Sequence, residues 1–202
     1  KSANQEYGLG QSNLGDLYRF NKTIGRNDVM AVSWYQKAAA KGIVQAENAM
    51  GWSYERGFGV KKDYKRAFYW YQKAASKGHI RSQYSLGYFY QYGLGVPKNS
   101  VTAFQWYQKI VQNKKIQALE NIDKGTGTVS MAMTRLGELY SSGNGVAFDM
   151  KKAMKWYFKA ADMGSKRAQY ALGSVYSRGI GGMPKDGIKA YNWFIKVVAS
   201  GT

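Results

Sequence analysis

Few side chains in this sequence are of the kinds that make or break bonds. Cysteine is absent, which removes disulfides and thiolate metal sites. The one histidine, His79, follows Gly78 in a turn, with no Asp or Ser set beside it by the spacing of the chain, and reads as a turn residue rather than a general base. Asp63, Asp149 and Asp186 recur at equivalent places but a repeat unit or more apart, each suited to capping its own helix, so paired acid–base work is not expected. The pairs Gly57/Gly59, Gly93/Gly95 and Gly143/Gly145 look like phosphate loops, yet no Gly-Lys-Ser/Thr follows any of them. Asn21-Lys22-Thr23 fits a glycosylation sequon, a pattern too common to carry weight. No catalytic set, metal site or cofactor is expected, and the functional question becomes one of binding.

The residues that recur are structural. From Met50 to Gly78 the chain reads MGWSYERGFGVKKDYKRAFYWYQKAASKG, and this phrase returns with Gly51, Tyr54, Asp63, Ala67, Trp70-Tyr71 and Lys73 at matching places. The helix glycines stand at 15, 51, 87, 137 and 173, and the tryptophans at 34, 70, 106, 156 and 193. The steps are 36, 36, 50 and 36 for the glycines and 36, 36, 50 and 37 for the tryptophans, so one register runs end to end. Insertions interrupt it after Trp106 and at Gly181-Gly182. Repeats at such a period make a one-dimensional stack in which each unit touches its neighbours.

Each unit reads as two antiparallel helices. In the second, Ala46, Met50, Ser53 and Tyr54 share one face of a helix over about 44–55. Gly51 in its middle costs about 1 kcal/mol against alanine, a cost repeated in every unit, which predicts a close approach by another helix. Gly57-Phe58-Gly59-Val60 stops the helix, Asp63 caps the next, and Gly78 ends it. Ala67, Trp70, Tyr71 and Ala74 form the inner stripe of that second helix, with the tryptophans expected as the pegs of the stack. Asn21–Gly25 replaces the glycine turn of the first unit, which therefore reads as a terminal capping repeat. Residues 112–130 depart most: Ile110, Ile116, Leu119 and Ile122 suggest a second helix running to about Asp123, with Gly125–Thr128 turning back. Such an insertion makes either a partner contact or a tolerated excursion.

Composition agrees with a folded, binding chain. The 202 residues are 45% hydrophobic and 15% aromatic, enough for a core. Net charge is +18, which implies an acidic partner, nucleic acid or an anionic surface. No apolar run approaches the ~20 residues that span a bilayer. The chain starts at Lys1 without methionine, which reads as trimming, and a periplasmic or secreted location is expected over a cytoplasmic one.

The pattern A-x-x-x-L-G-x-x-Y-x-x-G-x-G-V-x-x-D-x-x-x-A-x-x-W-Y-x-K-A-A-x-x-G resembles the Sel-1-like repeat, a relative of the tetratricopeptide repeat, over nearly the whole chain apart from 112–130. Ala168–Tyr176 is similar to the family's first helix. The resemblance implies an all-α fold: a right-handed α/α superhelix, or solenoid, of about five repeats at 8–43, 44–79, 80–130, 131–165 and 166–202, forming one domain. It further implies a protein-binding scaffold that is rarely an enzyme; bacterial members look like adaptors of secretion or the envelope, virulence factors and immunity proteins that neutralise toxic effectors. First helices of such solenoids line the concave side.

On that reading, positions one, four and five after each helix glycine fall outside the core stripe. They are Asp16, Arg19, Phe20; Trp52, Glu55, Arg56; Tyr88, Gln91, Tyr92; Glu138, Ser141, Ser142; and Ser174, Ser177, Arg178. Trp52, Tyr88 and Tyr92 are aromatic where polar residues would suffice, and aromatics beside arginine are interface anchors; packing against the next repeat is the plain alternative. The candidate partner-binding residues are accordingly Arg19, Trp52, Glu55, Arg56, Tyr88, Gln91, Tyr92, Glu138 and Arg178. Lys61, Lys62, Lys65, Arg66, Lys73 and Lys77, matched by Lys151, Lys152, Lys155, Lys159, Lys166 and Arg167, are either a solvated outer surface or an electropositive face. The expectation is an acidic protein partner, an effector or envelope protein, held by a chain that is monomeric when unbound. An electrostatic binder of nucleic acid or anionic membrane is the competing class, weakened by the lack of a nucleic-acid motif and by tyrosines spent on repeat positions.

Overall fold

A computed structural model describes residues 2–21, 23, 25–113 and 127–199. Among these it has ten α-helices, a short 3-10 turn at Ile180–Gly182 and no strand. The helices are α1 (Ser2–Phe20), α2 (Asp28–Ala40), α3 (Val44–Arg56), α4 (Tyr64–Ser76), α5 (Ile80–Tyr92), α6 (Ser100–Gln112), α7 (Thr128–Ser142), α8 (Met150–Asp162), α9 (Lys166–Arg178) and α10 (Gly187–Ala199). They fall into two compact units, one to Lys98 containing α1–α5 and one from Asn99 containing α6–α10. In the first, α1 packs on α2 and α3 on α4; in the second, α7 packs on α8 and α9 on α10.

The hairpins are built as the sequence requires. Asn27, Asp63, Asn99, Asp149 and Asp186 accept hydrogen bonds from the backbone N–H three residues on, satisfying an orphan donor of each helix start. The cap's own N–H donates to the carbonyl of the preceding first-helix tyrosine, as in Asp63 to Tyr54 at 2.9 Å and Asp149 to Tyr140 at 3.0 Å, which closes the hairpin. The backbone donors draw the Asp149 and Asp186 carboxyls below their usual range. In the turn between helices, Gly59 has φ 70° and backs directly onto the Asp28 carbonyl, so a Cβ there would collide with main chain of the preceding repeat.

The core corrects one expectation. The tryptophans are only half-buried, whereas the tyrosines that follow them are closed off: Tyr35, Tyr71 and Tyr107 are at most 1% exposed and Tyr157 is 4% exposed. The helix glycine is the seat of that tyrosine ring. A Cβ on Gly51 would lie 2.6 Å from Tyr71 Cδ1, and Gly15, Gly137 and Gly173 face Tyr35, Tyr157 and Phe194 in the same way. The tryptophan sits at the edge instead, under the lysine three residues later; the ammonium-to-ring distances are 4.2 Å for Lys37–Trp34, 5.1 Å for Lys73–Trp70, 5.0 Å for Lys109–Trp106, 5.2 Å for Lys159–Trp156 and 4.2 Å for Lys196–Trp193. One lysine per repeat is thus tied to the repeat's own packing.

Two further expectations change. Helix α6 ends at Gln112, where Asn113 turns extended at φ −73°, ψ 105°, so it does not run on to Asp123; residues 114–126 lie outside the described chain. Thr128, Val129 and Ser130, read as insertion, are buried in the first turn of α7, with Gly127 at φ 56° ahead of them.

Candidate functional site

The first helices carry the candidate binding residues, and the register decides which of them are free to bind. Four residues past the helix glycine, side chains turn toward the hydroxyl of the buried tyrosine. The Tyr71 hydroxyl donates to Glu55 Oε2 at 2.7 Å, and the Tyr157 and Ser141 hydroxyls meet at 3.1 Å. In the first repeat the Tyr35 hydroxyl donates to Asp16 Oδ1 at 2.7 Å and also faces Arg19. Burial pushes the Tyr35, Tyr71 and Tyr157 phenols above their ordinary value, with Asp16 and Glu55 reinforcing the first two. Glu55 therefore holds the core and is only half-exposed, with Arg56 Nε 3.7 Å from its other oxygen; Arg56 itself is exposed.

What remains in the first unit is an aromatic and cationic surface. The Arg19 guanidinium lies over the Trp52 ring at 3.1 Å, with Phe20 at 4.6 Å and Phe58 at 5.9 Å. Trp52 and Phe58 are themselves in contact, their ring centres 4.6 Å apart, and the Arg26 guanidinium lies 4.8 Å from the Phe58 ring centre. Burial draws the Arg19 guanidinium below its usual value, while Tyr35, Asp28 and Asp16 oppose the shift. Among the described residues no acceptor meets Arg19 Nε. On the next first helix, Tyr88 and Tyr92 pair at 4.6 Å, tilted by 46°, with Tyr92 exposed and Tyr88 and Gln91 half-buried. The stack thus joins Arg19 to Trp52 across two repeats, a link carried by tertiary packing.

The second unit's candidates behave differently. Glu138 accepts from Arg135 Nη1 at 2.9 Å and from Arg167 Nε, so it ties α7 to the start of α9. Arg178 is exposed at the end of α9, and Ser174, at a position the register places outside the core stripe, is buried. Phe20, Arg26 and Phe58 complete the Arg19 cluster, and of these only Phe20 stood at a surface position of the register. Phe58 lies in the glycine turn, where a bulky residue between two glycines was the available signal.

His79 has a partner that the spacing did not suggest. Its Nδ1 accepts from the Ser82 N–H at 3.3 Å and lies 3.0 Å from Ser82 Oγ, which donates to Asn48 Oδ1 at 3.0 Å. Ser165 occupies the same register place, accepting from Ala168 N–H and meeting Thr134 Oγ1 at 2.9 Å. The histidine is thus the N-cap of α5 and links it to α3, and burial lowers its pKa, with Arg81 adding to the shift. Among the described residues no group of three or more His, Cys, Asp or Glu could hold a metal ion, and no helix is long and apolar enough to cross a membrane.

Charge follows a simple division. The described carboxylates are largely engaged within the chain: Asp28 with Arg26, Glu47 with Lys77, Glu138 with Arg135 and Arg167, Asp149 with Lys152 and Asp186 with Lys189. Lys61, Lys62, Lys65, Lys151, Lys155 and Lys166 stand exposed. Among the described residues, the positive excess is therefore turned outward.

Comparison with known proteins gives the repeat a family. A model described as the Sel1 repeat matches residues 8–43, 44–79, 80–113, 130–165 and 166–201. A Sel1 repeat protein from Oxalobacter formigenes is 33% identical with a TM-score of 0.79, over 96% of this chain and 73% of that one. A protective antigen from uropathogenic Escherichia coli that displays an SLR fold is 30% identical with a TM-score of 0.76, over 96% of this chain but 38% of its own length. An immunity protein from Pseudomonas aeruginosa shares the fold at 18% identity and a TM-score of 0.59, over 95% of this chain and 67% of that one. No curated protein shows a match.

Proposed function

We propose, for a chain that belongs to the Sel1 repeat family, that it is a non-enzymatic scaffold gripping an acidic protein through the exposed faces of its first helices. Sel1 repeat scaffolds are typical of protein–protein interaction. The observation that carries the finer reading is the Arg19–Trp52 stack at 3.1 Å with Phe58 and Arg26 beside it. A guanidinium held over an indole is pre-organised and partly stripped of water, so it gives up little freedom when a carboxylate arrives. Tyr88 and Tyr92 add amphipathic rings with few rotors on the following first helix. Excess positive charge speeds encounter with an acidic surface.

An immunity role, with a toxic effector as the acidic partner, is the sharper form of this reading, and its support is the family together with the fold shared with an immunity protein. The test is to isolate the partner from the native host and titrate it against wild type and against Arg19→Ala, Trp52→Ala and Tyr92→Ala. Each single change is expected to weaken binding roughly tenfold or more, the range of interface anchors. Unchanged affinity in all three variants, with folding intact, would remove the first-helix surface from the account. The exposed lysines sustain the competing reading of nucleic acid or anionic lipid. It requires affinity for a labelled oligonucleotide or anionic vesicles that falls steeply with salt, and no binding at low salt eliminates it.

A further inference from the structure

A carboxylate and a cation three residues apart, on a helix or at its start, face each other across one turn. In this chain such pairs close: Asp63–Arg66 at 3.5 Å, Arg135–Glu138 at 2.9 Å, Asp149–Lys152 at 3.2 Å and Asp186–Lys189 at 2.9 Å. Asp16 and Arg19 have the same spacing on α1 and behave differently. Asp16 acts on the Arg19 guanidinium only from a distance, more weakly than Tyr35 or Asp28 does. Among the described residues Arg19 Nε meets no acceptor, and the guanidinium lies 3.1 Å from the centre of the Trp52 ring.

The difference traces to the buried tyrosine of the first repeat. In the second and fourth repeats the residue four past the helix glycine meets the tyrosine hydroxyl, Glu55 for Tyr71 and Ser141 for Tyr157. In the first repeat that place holds Arg19, which has donors and no acceptor. The Tyr35 hydroxyl therefore finds its acceptor nearer the glycine and donates to Asp16 Oδ1 at 2.7 Å, while its oxygen also faces Arg19. Its ring is closed off from solvent and seated on Gly15, so the hydroxyl is fixed by the core. Asp16, an exposed residue one turn from an exposed-side arginine, is thus held by a group that cannot move with it.

We infer that Tyr35 is a positioning residue of the Arg19 surface: by holding Asp16 it keeps that carboxylate from neutralising Arg19, and so leaves the guanidinium on Trp52 with its charge available to a carboxylate of the partner. This rests on the proposal that the first-helix surface binds an acidic protein, and adds to it a residue that never touches that protein. A carboxylate on the same helix turn competes with an incoming one at high effective concentration. Removing the Tyr35 hydroxyl frees Asp16 to close on Arg19 as the four other pairs do, so the chain blocks its own anchor.

Nuclear magnetic resonance of the arginine side-chain N–H groups in the 202-residue chain tests it. The Arg19 signal is assigned by its loss in Arg19→Lys, and Trp52→Leu gives its position without the indole. In the wild type it is expected upfield of that reference, under the ring current of Trp52. Tyr35→Phe is expected to move it downfield, whether the guanidinium leaves the ring or gains a carboxylate. Adding Asp16→Asn to Tyr35→Phe is expected to return it to the wild-type place, a rescue that a loss of packing would not show. Phe194 fills the equivalent seat against Gly173, so phenylalanine is accepted there, and circular dichroism checks the fold. Tyr157→Phe, which removes the same hydroxyl in the second unit, is expected to leave the Arg19 signal in place. A signal that stays put in Tyr35→Phe overturns the proposal, as does a shift that Asp16→Asn fails to reverse or that Tyr157→Phe reproduces. No partner enters this readout, so its failure leaves the binding surface standing. Unchanged partner affinity in Arg19→Ala would instead remove Arg19 from that surface and leave the holding of Asp16 intact.

Discussion

Replacing Gly51 by alanine pits two effects of opposite sign against each other. In an open helix the change stabilises by about 1 kcal/mol, since glycine is the poorer helix former. Here the new Cβ would lie 2.6, 2.7 and 3.0 Å from Cδ1, Cε1 and Cγ of Tyr71. That ring is 1% exposed, and its hydroxyl is tied to Glu55 at 2.7 Å, so it has nowhere to swing. Relief needs a shift approaching 1 Å of ring or helix, and overpacking on that scale costs about 1–3 kcal/mol. The clash therefore wins, and Gly51→Ala is expected to destabilise by about 1–2 kcal/mol net of the helix gain. Gly10 supplies the control within the same chain, because it is helical and exposed and a Cβ there meets nothing within 4 Å. Gly10→Ala is expected to stabilise by about 0.5–1 kcal/mol. Urea unfolding of both variants reads the comparison. In a Tyr71→Leu background the cost of Gly51→Ala should shrink, since the smaller side chain leaves room. A Gly51→Ala protein as stable as Gly10→Ala would refute the glycine-and-tyrosine account.

Other expectations follow from charge and burial. Glu47 is 2% exposed in its side chain and is neutralised by Lys77 Nζ at 2.6 Å, so Lys77→Met strands a buried carboxylate. The cost is expected at about 2–3 kcal/mol, below the ~3–5 of a fully enclosed pair because Lys77 stays in contact with water, and adding Glu47→Met should recover most of it in urea melts. His79 has a folded pKa below its unfolded ~6.5, so the unfolded chain binds the proton more readily. Stability is complete above that value and falls as pH drops through it towards the lower folded pKa; His79→Asn, which can still cap, should flatten this limb. Tyr35, Tyr71 and Tyr157 have folded pKa values above the unfolded ~10, so stability is complete below pH ~10 and declines as pH rises beyond it. The part of the phenolate absorbance that Tyr71→Phe removes, read as a difference from wild type, should then appear together with loss of helical signal, and a difference signal at pH ~10 in a still-folded chain would contradict the burial of Tyr71.

The repeat, its helix ends and its caps were legible because each rests on local chemistry: positive φ at glycine, a side-chain acceptor at Asp63 or Asn99, and a fixed period. Which of two adjacent aromatics enters the core was not. Trp70 and Tyr71 are one residue apart on a helix, so the apolar stripe includes both, and only the meeting of Gly51 with the Tyr71 ring decides between them. The lysine three residues after each tryptophan marked the edge position, although it looked like surface charge. Glu47 escaped notice because a carboxylate in a core slot makes sense only once Lys77 reaches it from the end of the next helix. For the proposed binding surface, spacing picked out Arg19, Trp52, Tyr88 and Tyr92 as positions outside the core stripe. It could not show that Glu55 is occupied by a tyrosine hydroxyl, or that Arg19 and Trp52, 33 residues apart in sequence, stack on each other. The end of α6 at Gln112 was hidden by apolar residues that continue the helical period beyond it.

The claim that first helices carry the binding surface is tested most directly by site-specific photocrosslinking. A benzophenone amino acid is placed at Tyr92, on that surface, and in a second protein at Tyr69, which is comparably exposed on a second helix. In the native host, the Tyr92 probe is expected to yield one dominant covalent adduct with an acidic protein, lost when Arg19 and Trp52 are changed to alanine, and the Tyr69 probe little or none. Adducts formed equally from both sites, or from Tyr69 alone, would contradict it.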